Sequence, residues 1–220
     1  MFYKDVPTLI KRIVIPGFWT TIYMLIIATI TCTICGFALA IVLVITDKKG
    51  LKPNRLIYET LSVLINVVRS TPFVILIISI IPLTRLVVGK AIGPNAAIFA
   101  ITVAGSPLVA RLMETSLKEV NPGLIEAAKS FGASDWQIIF HVLIHEAVPS
   151  IVSNLTLAIV SILGYTAMAG IVGAGGLGAV ALTYGYQNFD DAVMYSTVLI
   201  LIIFVQIIQH TGLIIYRKLK

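Results

Sequence analysis

Long runs without charge alternate with polar stretches along this chain, and the run lengths predict its elements. About 20 apolar residues cross a bilayer as helix. Ile13 to Thr46 carries no charge, with its helical part expected from near Phe18. Ala91 to Ala110 is also uncharged, and Ala192 to Tyr216 holds only His210 as an ionisable group. The first run is too long for a signal-peptide core. The small pair Ala38 and Ala40 is followed by more apolar sequence, so it reads as a retained span. Between Arg69 and Arg85 lie 15 residues, too few to span, so a second helix must recruit Leu61 to Val68 and carry Arg69 at or within the membrane boundary. Val148 to Phe189 runs 42 residues without a charge, but glycines from Gly170 to Gly178 interrupt it. Each costs about 1 kcal/mol in a helix against alanine. The pattern predicts five spans, 18–46, 61–84, 91–110, 150–170 and 192–216, with a re-entrant or interfacial segment after the fourth.

Composition turns this pattern into a class. Apolar residues make up 58% and charged residues 12%, with mean hydropathy +1.01; soluble domains hold about 45–50% and about 25%. An all-α integral membrane protein follows. The net charge of +6 needs no nucleic acid, because cytoplasmic loops collect Lys and Arg. Five spans put the termini on opposite sides. If the first loop is cytoplasmic, that side holds ten basic residues (Lys48, Lys49, Lys52, Arg55, Arg111, Lys118, Lys129, Arg217, Lys218, Lys220). The other side holds five: Lys4, Lys11, Arg12, Arg85 and Lys90. The bias makes 1–17 an external segment and 217–220 a cytoplasmic tail, although Lys11 and Arg12 pull the other way.

The connector 111–149 is far more polar than the rest. Asn121-Pro122 predicts a helix start, since Asn accepts from orphan amides and Pro suits the first helical position. Leu124, Ala127, Ala128 and Phe131 recur at helical spacing, and Gly132 offers a stop. Ser134 with Gln137 forms a capping box that opens a second helix, with Trp136, Ile139, Phe140, Leu143 and Ala147 on one side. Pro149 is expected to mark the turn toward the membrane. Two short helices meeting at a glycine make a docking element.

Glu126-Ala127-Ala128, three residues, then Gly132, with an apolar helix leading to Pro149, resembles the EAA motif of bacterial ABC importer permeases. Three further stretches look like the methionine-uptake group of that family: Asn66 to Phe73, Ile81 to Arg85, and Gly164 to Met168 before Gly173 to Gly178. Tyr184-Gly185-Tyr186 fits as well, and the resemblance covers roughly Trp19 to Gly212. One departure is His145, where the family often has proline before the acidic residue. The resemblance implies a homodimer with the loop as coupling helix in a cleft of each of two cytoplasmic ABC ATPases. It also implies an external substrate-binding protein or lipoprotein and a bacterial cytoplasmic-membrane location. Coupling would rest on Glu126, Ala127, Ala128 and Gly132, with a methionine cargo moved by alternating access. ATP and Mg would serve the partner ATPase; this chain would bind no cofactor. It contains no Gly-x-x-x-x-Gly-Lys-Ser/Thr run for holding phosphates.

Other signals read as structure. Cys32 and Cys35 form a CxxC inside an apolar span with no cationic neighbour to lower a thiol pKa, which favours small packing residues. Gly173, Gly175 and Gly178 satisfy GxGxxG, but a long apolar helix precedes them rather than a strand, which favours a close-packed membrane turn. His141 and His145, with Glu146, are too few for a usual metal site. Arg69 is expected near the cytoplasmic half as a boundary or pathway charge facing protein or water, followed by a kink at Pro72. Met168, among Gly164, Ala167, Ala169 and Gly170 and one turn after Tyr165, is expected to meet its symmetry mate as an outer gate. The alternative functions are a permease for another small zwitterion (a polar amino acid or betaine), a metal-dependent membrane enzyme, or a gated channel.

Overall fold

The computed structural model describes residues 10–220. The first nine positions of the expected external segment, Lys4 among them, lie outside the described residues. The chain is helical throughout the described part: α1 Ile10–Thr46, α2 Arg55–Ser70, α3 Phe73–Ser79, α4 Ile81–Val88 and α5 Pro94–Lys118. Then come α6 Pro122–Ser130, α7 Asp135–Val172, α8 Gly176–Val180 and α9 Asp191–Leu219. Four of these (α1, α5, α7, α9) are long and apolar enough to cross a membrane, and counting the bent pair α2–α3 as one broken span gives five.

The core forms where α1, α5 and α7 meet. Met24, Ala28 and Cys32 from α1 pack against Ala100, Ile101 and Ala104 of α5 and Ala158 and Ile162 of α7. Buried positions in α1 recur every three or four residues (Thr21, Met24, Ala28, Cys32, Gly36, Ala40, Leu43), the spacing of one helical face. Cys32 is buried with its thiol toward the Ile101 carbonyl (3.5 Å), and both cysteines are free. The helix α9 lies outermost, burying Val193, Thr197 and Gly212.

Three expectations change. The first span begins at Ile10 rather than near Phe18, because Val14 buries itself against Leu177 and Val180 while Lys11 and Arg12 stay exposed. The stretch 61–84 is not one continuous helix: the chain turns by 105° between α2 and α3, and a second break at Ile80 starts α4. Pro72 removes a backbone donor and keeps Thr71 extended, so the helix cannot continue through it. Pro149 does not mark a turn, since it lies inside α7. An interior proline costs about 3 kcal/mol, and packing on both sides, by Ala147 and Ile151, holds the helix through it.

The glycine stretch makes a turn and a short helix laid across the end of α7. Leu177 donates its buried amide to the Thr21 hydroxyl (2.8 Å), which supplies an acceptor for the start of α8. At Gly178 an added Cβ would run into the Ala167 carbonyl, so only glycine permits this approach.

Candidate functional site

The connector folds as a capped hairpin. Asn121 accepts from the Gly123 amide (2.9 Å) with Pro122 at the first helical position, so α6 starts where the local signals place it. It ends in a Schellman motif: Gly132, at φ +78°, donates to the Lys129 carbonyl (2.9 Å), and Ala133 donates to Ala128 (3.0 Å). The helix α7 then opens on a capping box, with Ser134 donating its amide to Gln137 Oε1 (2.8 Å) and accepting from the Gln137 amide (3.4 Å).

This hairpin carries its own small core. Leu117, Val120, Ile138, Ile139, Leu143 and Ala147 pack together against Ile41, Val44 and Ile45 at the end of α1. Ile125 and Ala128, three apart on α6, face that core. The expectation that Ala127 and Ala128 both lie on the surface is therefore half right: Ala127 is exposed and Ala128 is half-buried. Trp136 and Phe140 leave the buried side of α7, where Ile139, Leu143 and Ala147 remain, and stack on each other in the open. Leu124, Glu126 and Ala127 of α6 are exposed, and Phe131 follows at 92% exposure. The Glu126 carboxylate belongs to none of the five ion pairs among the described residues. An exposed carboxylate beside uncovered apolar groups suits contact with another protein.

Beneath the hairpin lies a polar cluster that sequence reading missed. Glu114 of α5 is only 4% exposed. It accepts from Arg111 (2.7 Å), Lys118 (2.7 Å) and the Tyr58 hydroxyl (3.0 Å). Lys118 also reaches Asp47 (2.7 Å), and Arg111 reaches the Ser62 hydroxyl (2.6 Å). Burial works against ionised Asp47, but its bond from Lys118, the Lys49 amide and the nearby lysine charges outweigh this and hold its carboxyl below the usual range. The Arg111, Glu114, Lys118 spacing of three and four was legible as one helical face. Its partners Asp47, Tyr58 and Ser62 were not.

Arg69 sits in the last turn of α2, exposed and just before the 105° bend. Beyond the bend, Phe73 stacks on Tyr165 of α7 (centroids 4.6 Å apart, 20° between planes). The two residues expected to form a gate therefore part roles: Tyr165 is half-buried against Phe73, while Met168 is 46% exposed. Leu157, Gly164, Met168 and Ile171 form an uncovered stripe on α7. His141, His145 and Glu146 are exposed, and no group of three or more His, Cys, Asp or Glu among the described residues is placed to hold a metal.

The comparisons cover nearly the whole molecule. Residues 36–220 match the family described as binding-protein-dependent transport system inner membrane component. The chain is 45% identical to a probable D-methionine transport system permease protein, MetI, of Vibrio cholerae, over 91% of this chain and 89% of that one. It is also 45% identical to the methionine import system permease protein MetP of Bacillus subtilis, over 77% of each. Its fold is similar to a chain in inward-facing conformations of the MetNI methionine ABC transporter, with a TM-score of 0.93, 36% identity and full coverage of both.

Proposed function

Because this chain belongs to the family of binding-protein-dependent transport system inner membrane components, we propose that it imports methionine by alternating access, driven by ATP that a partner subunit hydrolyses. It is a multi-pass inner-membrane protein and the permease component of an ABC importer. It works as a pair of copies with ABC ATPase subunits, whose ATP and Mg serve the partner. A substrate-binding protein outside the membrane delivers the cargo. The hairpin is the coupling site: Glu126, Ala127 and Phe131 enter a cleft of the ATPase, while Ala128 and Gly132 fix the hairpin's shape. Five spans enclose no path alone, so the uncovered α7 stripe faces the second copy across a two-fold axis. Met168 then meets its symmetry mate as an outer gate, and Arg69 is a boundary charge at the bend.

The observation that supports this reading best is the doubly capped hairpin with an exposed carboxylate, outside the ion pairs among the described residues, next to exposed apolar groups. Its test is Glu126→Lys in a methionine auxotroph that lacks other importers. Reversing a docked charge-assisted contact costs about 2–5 kcal/mol. Methionine uptake is predicted to fall at least about tenfold, since about 1.4 kcal/mol is a factor of ten, with the permease still inserted and dimeric. Normal uptake by this variant would overturn the coupling site. Uptake of betaine or a polar amino acid by the wild type, without methionine uptake, would overturn the cargo.

A further inference from the structure

Both arms of the docking hairpin are fastened to one short segment of the chain. The first arm leaves α5 at Lys118, which bonds Asp47 and Glu114, and Glu114 and Arg111 hold Tyr58 and Ser62 of α2. The second arm begins at Asp135, whose carboxylate pairs with Lys52 (3.0 Å). Residues 47–62 thus tie the two ends together. Between the ends, the hairpin stands clear. A cavity of about 620 Å³ separates Asp47, Lys49 and Leu51 from Ile125, Glu126 and Lys129.

Besides the clamp, α2 is held by one small apolar contact, in which Ile65, Leu61 and Tyr58 pack on Leu39, Leu43 and Ala110. It buries only Ile65, while Leu56, Val63, Leu64 and Val67 point outward. The clamp sets two cations and two carboxylates around the buried Glu114, with Arg111 and Asp47 half-buried and Lys118 at its exposed edge, so its charge balances, and neutralising Glu114 leaves Arg111 without its carboxylate. From this clamp, α2 runs to the bend at Pro72, and Phe73 stacks directly on Tyr165, one turn before Met168.

We propose that Glu114, with Arg111, Lys118 and Asp47, is a positioning cluster that makes the docking hairpin and α2 move as one body and so relays ATPase movement to the Phe73–Tyr165 stack beside Met168. The Lys52–Asp135 pair closes the tie on the second arm. The proposal rests on the hairpin being the ATPase docking site.

The test reads ATP hydrolysed per methionine imported, with the full transporter in proteoliposomes. In Glu114→Gln this ratio is predicted to rise at least about fivefold while the ATPase still co-purifies, and Glu114→Asp restores most of the coupling. A merely structural role lowers hydrolysis and import together and leaves the ratio unchanged; that result overturns the proposal. Lys52→Asp, on the exposed side, keeps the test open if Glu114→Gln fails to assemble. It raises the ratio about twofold, and adding Asp135→Lys returns it to wild type. A ratio that stays at the wild-type value in Lys52→Asp, or that is not restored by the swap, counts against the tie. Glu126→Lys separates the two readings. If it uncouples while Glu114→Gln does not, only the relay falls; if it leaves uptake normal, the docking site itself falls.

Discussion

The two ends of the bundle are built by different means. At the docking end the chain uses caps, a small core of its own and ion pairs. All five salt bridges among the described residues lie there. At the glycine end Asp190 caps α9 and Val14, Leu177, Val180 and Val193 make a small core, but none of those salt bridges lies there. The helix α8 lies on the end of α7 by direct backbone contact, with Thr21 accepting from the buried Leu177 amide. Charges cost little where water reaches them, and hydrocarbon makes them expensive. Inside the membrane, small residues let backbones approach instead. The difference is mechanical as well: an ion pair can shift and re-form, whereas a backbone packed on backbone has no room to give.

Substitutions at the two ends should therefore differ in size. The largest loss is predicted for Gly178→Val, about 3 kcal/mol, because the new side chain meets the Ala167 carbonyl rather than a flexible tip. Denaturant unfolding in detergent reads this, and a loss below about 1 kcal/mol would show that the glycine end yields as readily as the other. Ser134→Ala comes next at about 1 kcal/mol, since one cap bond is lost while water still reaches the freed amide. A cost equal to that of Gly178→Val would erase the contrast.

The smallest change in stability belongs to Met168→Cys, within about 0.5 kcal/mol, because the side chain is 46% exposed and packs little within its own chain. The same variant sharpens the comparison by function. It is predicted to cross-link the two copies without nucleotide and to stop doing so when the ATPases are trapped closed. Absence of cross-linking in every state would remove the gate from the glycine end.

Local features were legible without any coordinates. Asn121, Gly132 and the Ser134–Gln137 box act on atoms within four residues, so their hydrogen bonds follow from order along the chain. The charge-free runs likewise gave an all-helical membrane protein, because a long apolar run must satisfy its own backbone in lipid. The three-and-four spacing also puts Arg111, Glu114 and Lys118 on one helical face, but spacing alone does not say what that face meets.

Distance along the chain is what hid the rest. Asp47 and Lys118 are 71 positions apart, and Tyr58 and Glu114 are 56 apart. No periodicity pairs them. They meet because α1, α2 and α5 pack side by side and bring three helix ends to one level. Packing likewise decided that Pro149 stays helical, that Ala128 turns inward, and that the second span breaks by 105° so that Phe73 reaches Tyr165. The order of residues determined which helices this chain forms and where each is capped. The tertiary structure decided which charges share a site, because that depends on which helix faces meet once apolar surface has been buried.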